Sequence, residues 1–103
     1  VNTGRSVSGN QEQYLKLNLE AAKEAARQIR LRNLSGIILI DFINLSGQED
    51  RELLLHTMRD LTAADPVKTE VIDLTKLDLM EITRKKGRPP LYEAIRKKER
   101  SNE

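Results

Sequence analysis

Between Ser35 and Leu45 the chain reads SGIILIDFINL: four large aliphatic residues, one aspartate, then more apolar residues. A run this short and this rich in β-branched side chains, bounded by Ser-Gly and by Leu-Ser-Gly-Gln, reads as a strand. Both of its faces are apolar, which predicts a central strand covered on both sides. The residues before it supply a cover. Leu15, Leu19, Ala22, Ala26 and Ile29 step by four and three, which lays one apolar face along a helix over residues 11–32. Asn33 and Ser35-Gly36 end that helix.

The pattern continues in the same style. Leu54, Met58 and Leu61 form the stripe of a second helix over 48–64, stopped by Asp65-Pro66. Val71, Ile72 and Leu74 mark a second strand. Leu77, Leu79, Met80 and Ile82 mark a third, ending at Thr83. "RKKGRPP" breaks the pattern, and Leu91 to Lys98 read as a short final helix entered from Pro90. The expectation is an α/β fold, a mixed sheet packed with helices, in the order helix-strand-helix-strand-strand-helix.

At 103 residues the chain suits one domain, and 38% hydrophobic residues allow a modest core. Only three aromatic residues are present, so that core is aliphatic. Cysteine is absent, which excludes disulfides and thiolate metal sites and suits a cytoplasmic location. No run approaches the roughly 20 apolar residues that span a bilayer. The single histidine, His56, sits mid-helix and reads as a surface residue. The net charge of +2 is unevenly placed: residues 1–83 hold 10 Lys and Arg against 13 Asp and Glu, and residues 84–103 hold 8 against 3. This divides the chain into an α/β body over 1–83 and a basic tail or short helix over 84–103. Such a tail suits a polyanion.

Asp41 stands out chemically. An ionised carboxylate in a dry interior costs several kcal/mol unless it is paired or metal-bound. A strand end offers it the rim of the sheet, where α/β folds bind ligands. Two roles fit that place: capping the next loop or pairing with an arginine, and ligating a hard cation such as Mg²⁺. Among the basic residues, Lys85 to Pro90 (KKGRPP) is similar to the core of an AT-hook, a minor-groove segment. A more general reading assigns Arg84, Lys85, Lys86 and Arg88 to phosphate contacts.

Three stretches taken together resemble the ribonuclease E/G family: VNTGRSVSG at the start, KLNLEAAKEAARQIRLRNLSGIILIDFINL, and DPVKTEVIDLTKLDLMEITRKK. Asn18 to Ala22, Arg27 to Arg32 and Ile40 to Ile43 are the most specific blocks. The resemblance runs from Val1 to about Lys86. It implies a subdomain similar to DNase I, and an oligomeric enzyme that cuts single-stranded RNA with Mg²⁺ held between two aspartates. Asp41 matches one of the pair. The other falls immediately before Val1, so these residues on their own are expected to be inactive. Asn2 matches an asparagine that supports the family's site by hydrogen bonding. Arg5 and Lys68 are candidates for phosphate contacts near the site. The family's zinc-binding Cys-x-x-Cys has no counterpart in a chain without cysteine. The alternative expectation is a non-catalytic module that binds nucleic acid through its basic tail.

Overall fold

The computed structural model describes residues 7–86. Five elements follow in order: α1 (Val7–Leu31), β1 (Gly36–Asp41), α2 (Gln48–Ala63), β2 (Thr69–Leu74) and β3 (Leu79–Arg84). The strands form one sheet in the order β1-β3-β2, with both pairs antiparallel. The α/β class, with helices packed on a sheet, is as the sequence implies. The helix expected over Leu91 to Lys98 lies outside the described residues.

α1 begins four residues earlier than its apolar stripe predicts, and it ends by a defined device. Asn33 takes a left-handed backbone, φ 50°. The Leu34 amide donates to the Ile29 carbonyl (3.0 Å) and the Asn33 amide to the Arg30 carbonyl (3.1 Å). These two bonds are a Schellman closure, with asparagine in the place glycine usually takes. α2 carries Glu49 and Asp50 in its first turn, where the helix dipole favours negative charge. The β2–β3 hairpin closes through Thr75, whose hydroxyl accepts from the Leu77 and Leu79 amides, and through Asp78 at φ 63°. Leu77, expected in the third strand, is an exposed residue of this turn.

The core lies between the two helices and one face of the sheet. Ala22, Ala26 and Ile29 of α1 and Leu54 and Met58 of α2 meet Val71, Leu74, Met80 and Ile82, with Phe42 and Leu45 from the segment after β1. Met80 and Ile82 of β3 are fully buried, and β3 is the middle strand. This corrects the expectation for β1, which is an edge strand of the described sheet. Its alternation places Ile38 and Ile40 toward the helices. Ile37 and Leu39, 79% and 57% exposed, fall on the opposite face with Asp41. An unbroken apolar run records strand propensity. Which face is covered depends on neighbours that the run itself does not encode.

At one end of the sheet a buried ion pair helps tie two connections to the end of β3. The Arg84 Nε donates to Asp65 Oδ2 (2.8 Å) and its Nη2 to Asp65 Oδ1 (3.1 Å). Its Nη1 donates to Asn33 Oδ1 (3.0 Å) and to the Leu34 carbonyl (2.9 Å). The tip of β3 is thereby bound to both helix-to-strand turns. Arg84, grouped by charge with the basic tail, thus completes β3 and belongs to the body.

Candidate active site

Asp41 is the last residue of β1, opposite Leu79 at the start of β3. Its side chain is exposed at the rim. It forms no hydrogen bond or ion pair with the side chain of any other described residue. The reading in which Asp41 pairs with an arginine therefore finds no partner among the described residues. Two arginines of α2 are engaged elsewhere. Arg51 pairs with Asp78 and donates to the Thr75 carbonyl (2.6 Å). Arg59 donates to the Val71 carbonyl (3.1 Å).

The backbone that carries Asp41 is tightly held. The Phe42 amide donates to the Asp78 carbonyl (3.1 Å). Ile43 makes both of its main-chain bonds to one side chain: its amide donates to Asn18 Oδ1 (3.0 Å), and its carbonyl accepts from Asn18 Nδ2 (2.8 Å). The Leu45 amide donates to Asp78 Oδ2 (3.3 Å) and the Ser46 amide to Gln11 Oε1 (2.9 Å). The buried Phe42 and Leu45 side chains add packing to these bonds. The result is an exposed carboxylate on a rigid strand end, a suitable ligand for a hard cation.

The donor set is compatible with Mg²⁺, which takes one or two carboxylates and keeps several waters. Among the described residues no three metal-ligating side chains gather. Asn2, expected to support the site, lies outside the described residues, as do Arg5 and Arg88.

The basic candidates are placed differently from expectation. Lys68 does not approach Asp41. The Lys85 amide donates to the Lys68 carbonyl (2.9 Å), which joins these lysines at the opposite end of the sheet. There an open groove of about 340 Å³ is lined by Ile37, Lys68, Glu70, Thr83 and Lys85, with Gly36 and Arg84. Five residue steps along β1 separate Gly36 from Asp41, roughly 17 Å at the usual rise. Lys68, Lys85 and Lys86 are exposed and face solvent. Arg84 is buried, its side chain 3% exposed, and its donors are taken by Asp65, Asn33 and Leu34. This corrects its assignment as a phosphate contact. The Asp65 carboxyl is pushed up by burial but ends below its ordinary value, because Arg84, the Val67 amide and the Thr69 hydroxyl all donate to it.

A model of the Ribonuclease E/G family matches residues 1–87. The chain belongs to that family. It is 41% identical over 97 residues to Ribonuclease G of Escherichia coli (strain K12), which covers 92% of this chain and 20% of the relative. The same identity and coverage hold for Ribonuclease G of Haemophilus influenzae (strain ATCC 51907 / DSM 11121 / KW20 / Rd). A Ribonuclease E/G-like protein of Porphyra purpurea is 38% identical over 98 residues, 92% of this chain and 19% of that protein. The chain therefore spans about a fifth of the length of the curated relatives it matches.

Within this family member, two of the blocks that carry the sequence resemblance meet in space. Asn18 opens the first block and Ile43 closes the last, and they are bonded to one another. Asn18, Asp78 and Arg51 are the residues that reading the sequence for chemistry misses. Asn18 did leave a signal: it interrupts the apolar stripe between Leu15 and Ala22. Asp78 also sits in an apolar setting, between Leu77 and Leu79, but nothing in the sequence links it to Arg51.

Proposed function

We propose that this chain is part of a Mg²⁺-dependent endoribonuclease that cleaves single-stranded RNA, with Asp41 as one of the carboxylates that hold the metal. The observation that carries the reading is the exposed Asp41 carboxylate, without a side-chain partner among the described residues, on a strand end fixed by its neighbours. Family membership supplies the substrate class. A bare carboxylate at a surface that meets RNA would repel the phosphate backbone. A divalent cation held by Asp41 would remove that conflict.

Bound at Asp41, Mg²⁺ supplies charge neutralisation at the scissile phosphate and a water of lowered pKa. The residues themselves do simpler work. Asp41 presents a hard oxygen donor at a fixed position. The Phe42 to Ser46 segment keeps that position from drifting when substrate arrives. Lys68, Lys85 and Lys86 offer positive charge roughly 17 Å away, so they suit phosphates some nucleotides along the strand from the one cleaved. With no group of three metal-ligating side chains among the described residues, the 103-residue chain alone is expected to bind Mg²⁺ weakly, on the order of millimolar, and not to cut RNA.

In the complete protein, Asp41→Asn is expected to lower kcat on a fluorogenic single-stranded oligoribonucleotide by about 100-fold or more, with RNA affinity preserved. Unchanged kcat would overturn the assignment. The competing reading, a non-catalytic module acting through the basic tail, expects no cleavage by the complete protein at all. It also expects salt-sensitive RNA binding that disappears when residues 84–103 are removed.

A further inference from the structure

The β1–β3 pairing stops at Asp41 and Leu79. β3 begins at Leu79, so the chain beyond Asp41 has no strand to pair with on that side. Ile43 would be left with an amide and a carbonyl needing partners. Asn18 supplies both. A carboxamide is chemically a peptide group turned on its side, with a donor and an acceptor next to one another. Its Oδ1 accepts from the Ile43 amide at 3.0 Å and its Nδ2 donates to the Ile43 carbonyl at 2.8 Å. The side chain thus imitates one rung of a neighbouring strand and carries the ladder past the end of β3.

Satisfying the two Ile43 main-chain groups is one reason for an asparagine here. Asn18 is 2% exposed on the buried face of α1, in line with Leu15 and Ala22. An apolar residue there would avoid burying a carboxamide but would leave the Ile43 amide and carbonyl without these two partners. What the carboxamide adds is position. It fixes the backbone two residues beyond Asp41 to the middle of a 25-residue helix. Asp78 acts on the same segment, through its carbonyl to Phe42 and its carboxylate to Leu45.

We propose that Asn18 is a positioning residue for Asp41, holding the strand end so that its carboxylate meets the divalent cation in one fixed geometry. This rests on the metal-ligand reading of Asp41, and the test separates the two. The probe is Mn²⁺, titrated into the ¹⁵N-labelled 103-residue chain. Its binding is read as selective broadening of resonances around Asp41, with Asp41→Ala as the blank. Amide exchange at Ile43 is measured alongside. Asn18→Leu removes both bonds and keeps the branching at Cγ with added bulk, and the smaller Asn18→Ser serves if the leucine variant does not fold. Ile82→Val trims the core three residue steps along the β1–β3 ladder from Asp41, touches neither Asn18 bond, and reports general destabilisation.

The expected result is at least tenfold faster exchange at Ile43 and at least fivefold weaker Mn²⁺ affinity at Asp41 in the Asn18 variant. Ile82→Val should leave Mn²⁺ affinity within twofold of wild type. Unchanged Mn²⁺ affinity in a folded Asn18 variant whose Ile43 amide has lost protection would overturn the positioning role and leave Asp41 as a ligand. A fall in affinity just as large in Ile82→Val would also overturn it, since the effect would then follow stability. No selective broadening at Asp41 in the wild type would overturn this proposal, and the metal reading is then decided by Asp41→Asn in the complete protein.

Discussion

Replacing Arg84 by methionine tests whether the sheet end opposite Asp41 is held by a buried charge pair. Both side chains of the Arg84–Asp65 pair are 3% exposed. The change deletes two bonds to the carboxylate and two more to Asn33 and the Leu34 carbonyl. Asp65 keeps the Val67 amide and the Thr69 hydroxyl as donors but loses its counter-charge. Removing one partner of a buried pair costs about 3–5 kcal/mol. The total stability of a chain of this size is about 5–15 kcal/mol. With a urea slope of about 1 kcal/mol/M the unfolding midpoint should fall by about 3 M or more, or the variant should unfold without denaturant. The double variant Arg84→Met/Asp65→Leu, which removes both charges, should regain most of that loss. The pH dependence has a definite sign. The Asp65 carboxyl is lowered on folding, despite the upward push of burial, by donation from Arg84, Val67 and Thr69. Its contribution is therefore present above the unfolded value of about 3.9 and is lost as pH falls through the lower folded value. Urea midpoints of wild type and Arg84→Met should converge below about pH 4. A cost under about 1 kcal/mol at pH 7, or a gap independent of pH, would show that the pair does not hold this end of the sheet.

Alanine at Lys68 and Lys85 in the complete protein should weaken single-stranded RNA binding across sequences. For every phosphate that a lysine no longer neutralises, the slope of log affinity against log salt should fall by about 0.7, and an unchanged slope would remove these lysines from the interface. Ile37→Lys and Leu39→Lys place charge on an exposed edge strand. They should leave the urea midpoint of the 103-residue chain nearly unchanged and reduce any concentration-dependent association seen by light scattering. A large loss of stability would mean that this face is covered.

The helices were legible because their stripes repeat over many turns: Leu15 to Ile29 for α1, Leu54 to Leu61 for α2. The three strands were legible from short β-branched runs between turn residues. Their order in the sheet was not, because the chain pattern is the same whether β1 or β3 lies in the middle. Leu77 misled for a related reason. Its apolar side chain suggests a strand, but Thr75 and Asp78 make the turn around it, and turn chemistry outweighs one exposed leucine. Arg84 illustrates the limit of charge counting. A basic run does not distinguish an arginine that meets solvent from one that meets a buried aspartate 19 residues away. Asp41 was visible as an anomaly in an apolar run, and the family resemblance gave it a role. Its supports were hidden, since Asn18 and Asp78 lie 23 residues before it and 37 after it.

The role of Asp41 as a metal ligand is checked most sharply by the magnesium dependence of cleavage. In the complete protein, activity should vanish with EDTA and return with Mg²⁺. Asp41→Glu keeps a carboxylate but moves it by one methylene, so its half-saturating Mg²⁺ should rise about tenfold or more while RNA affinity stays the same. A half-saturating concentration identical to wild type in Asp41→Glu, or full activity in EDTA, would mean that Asp41 does not hold a catalytic metal.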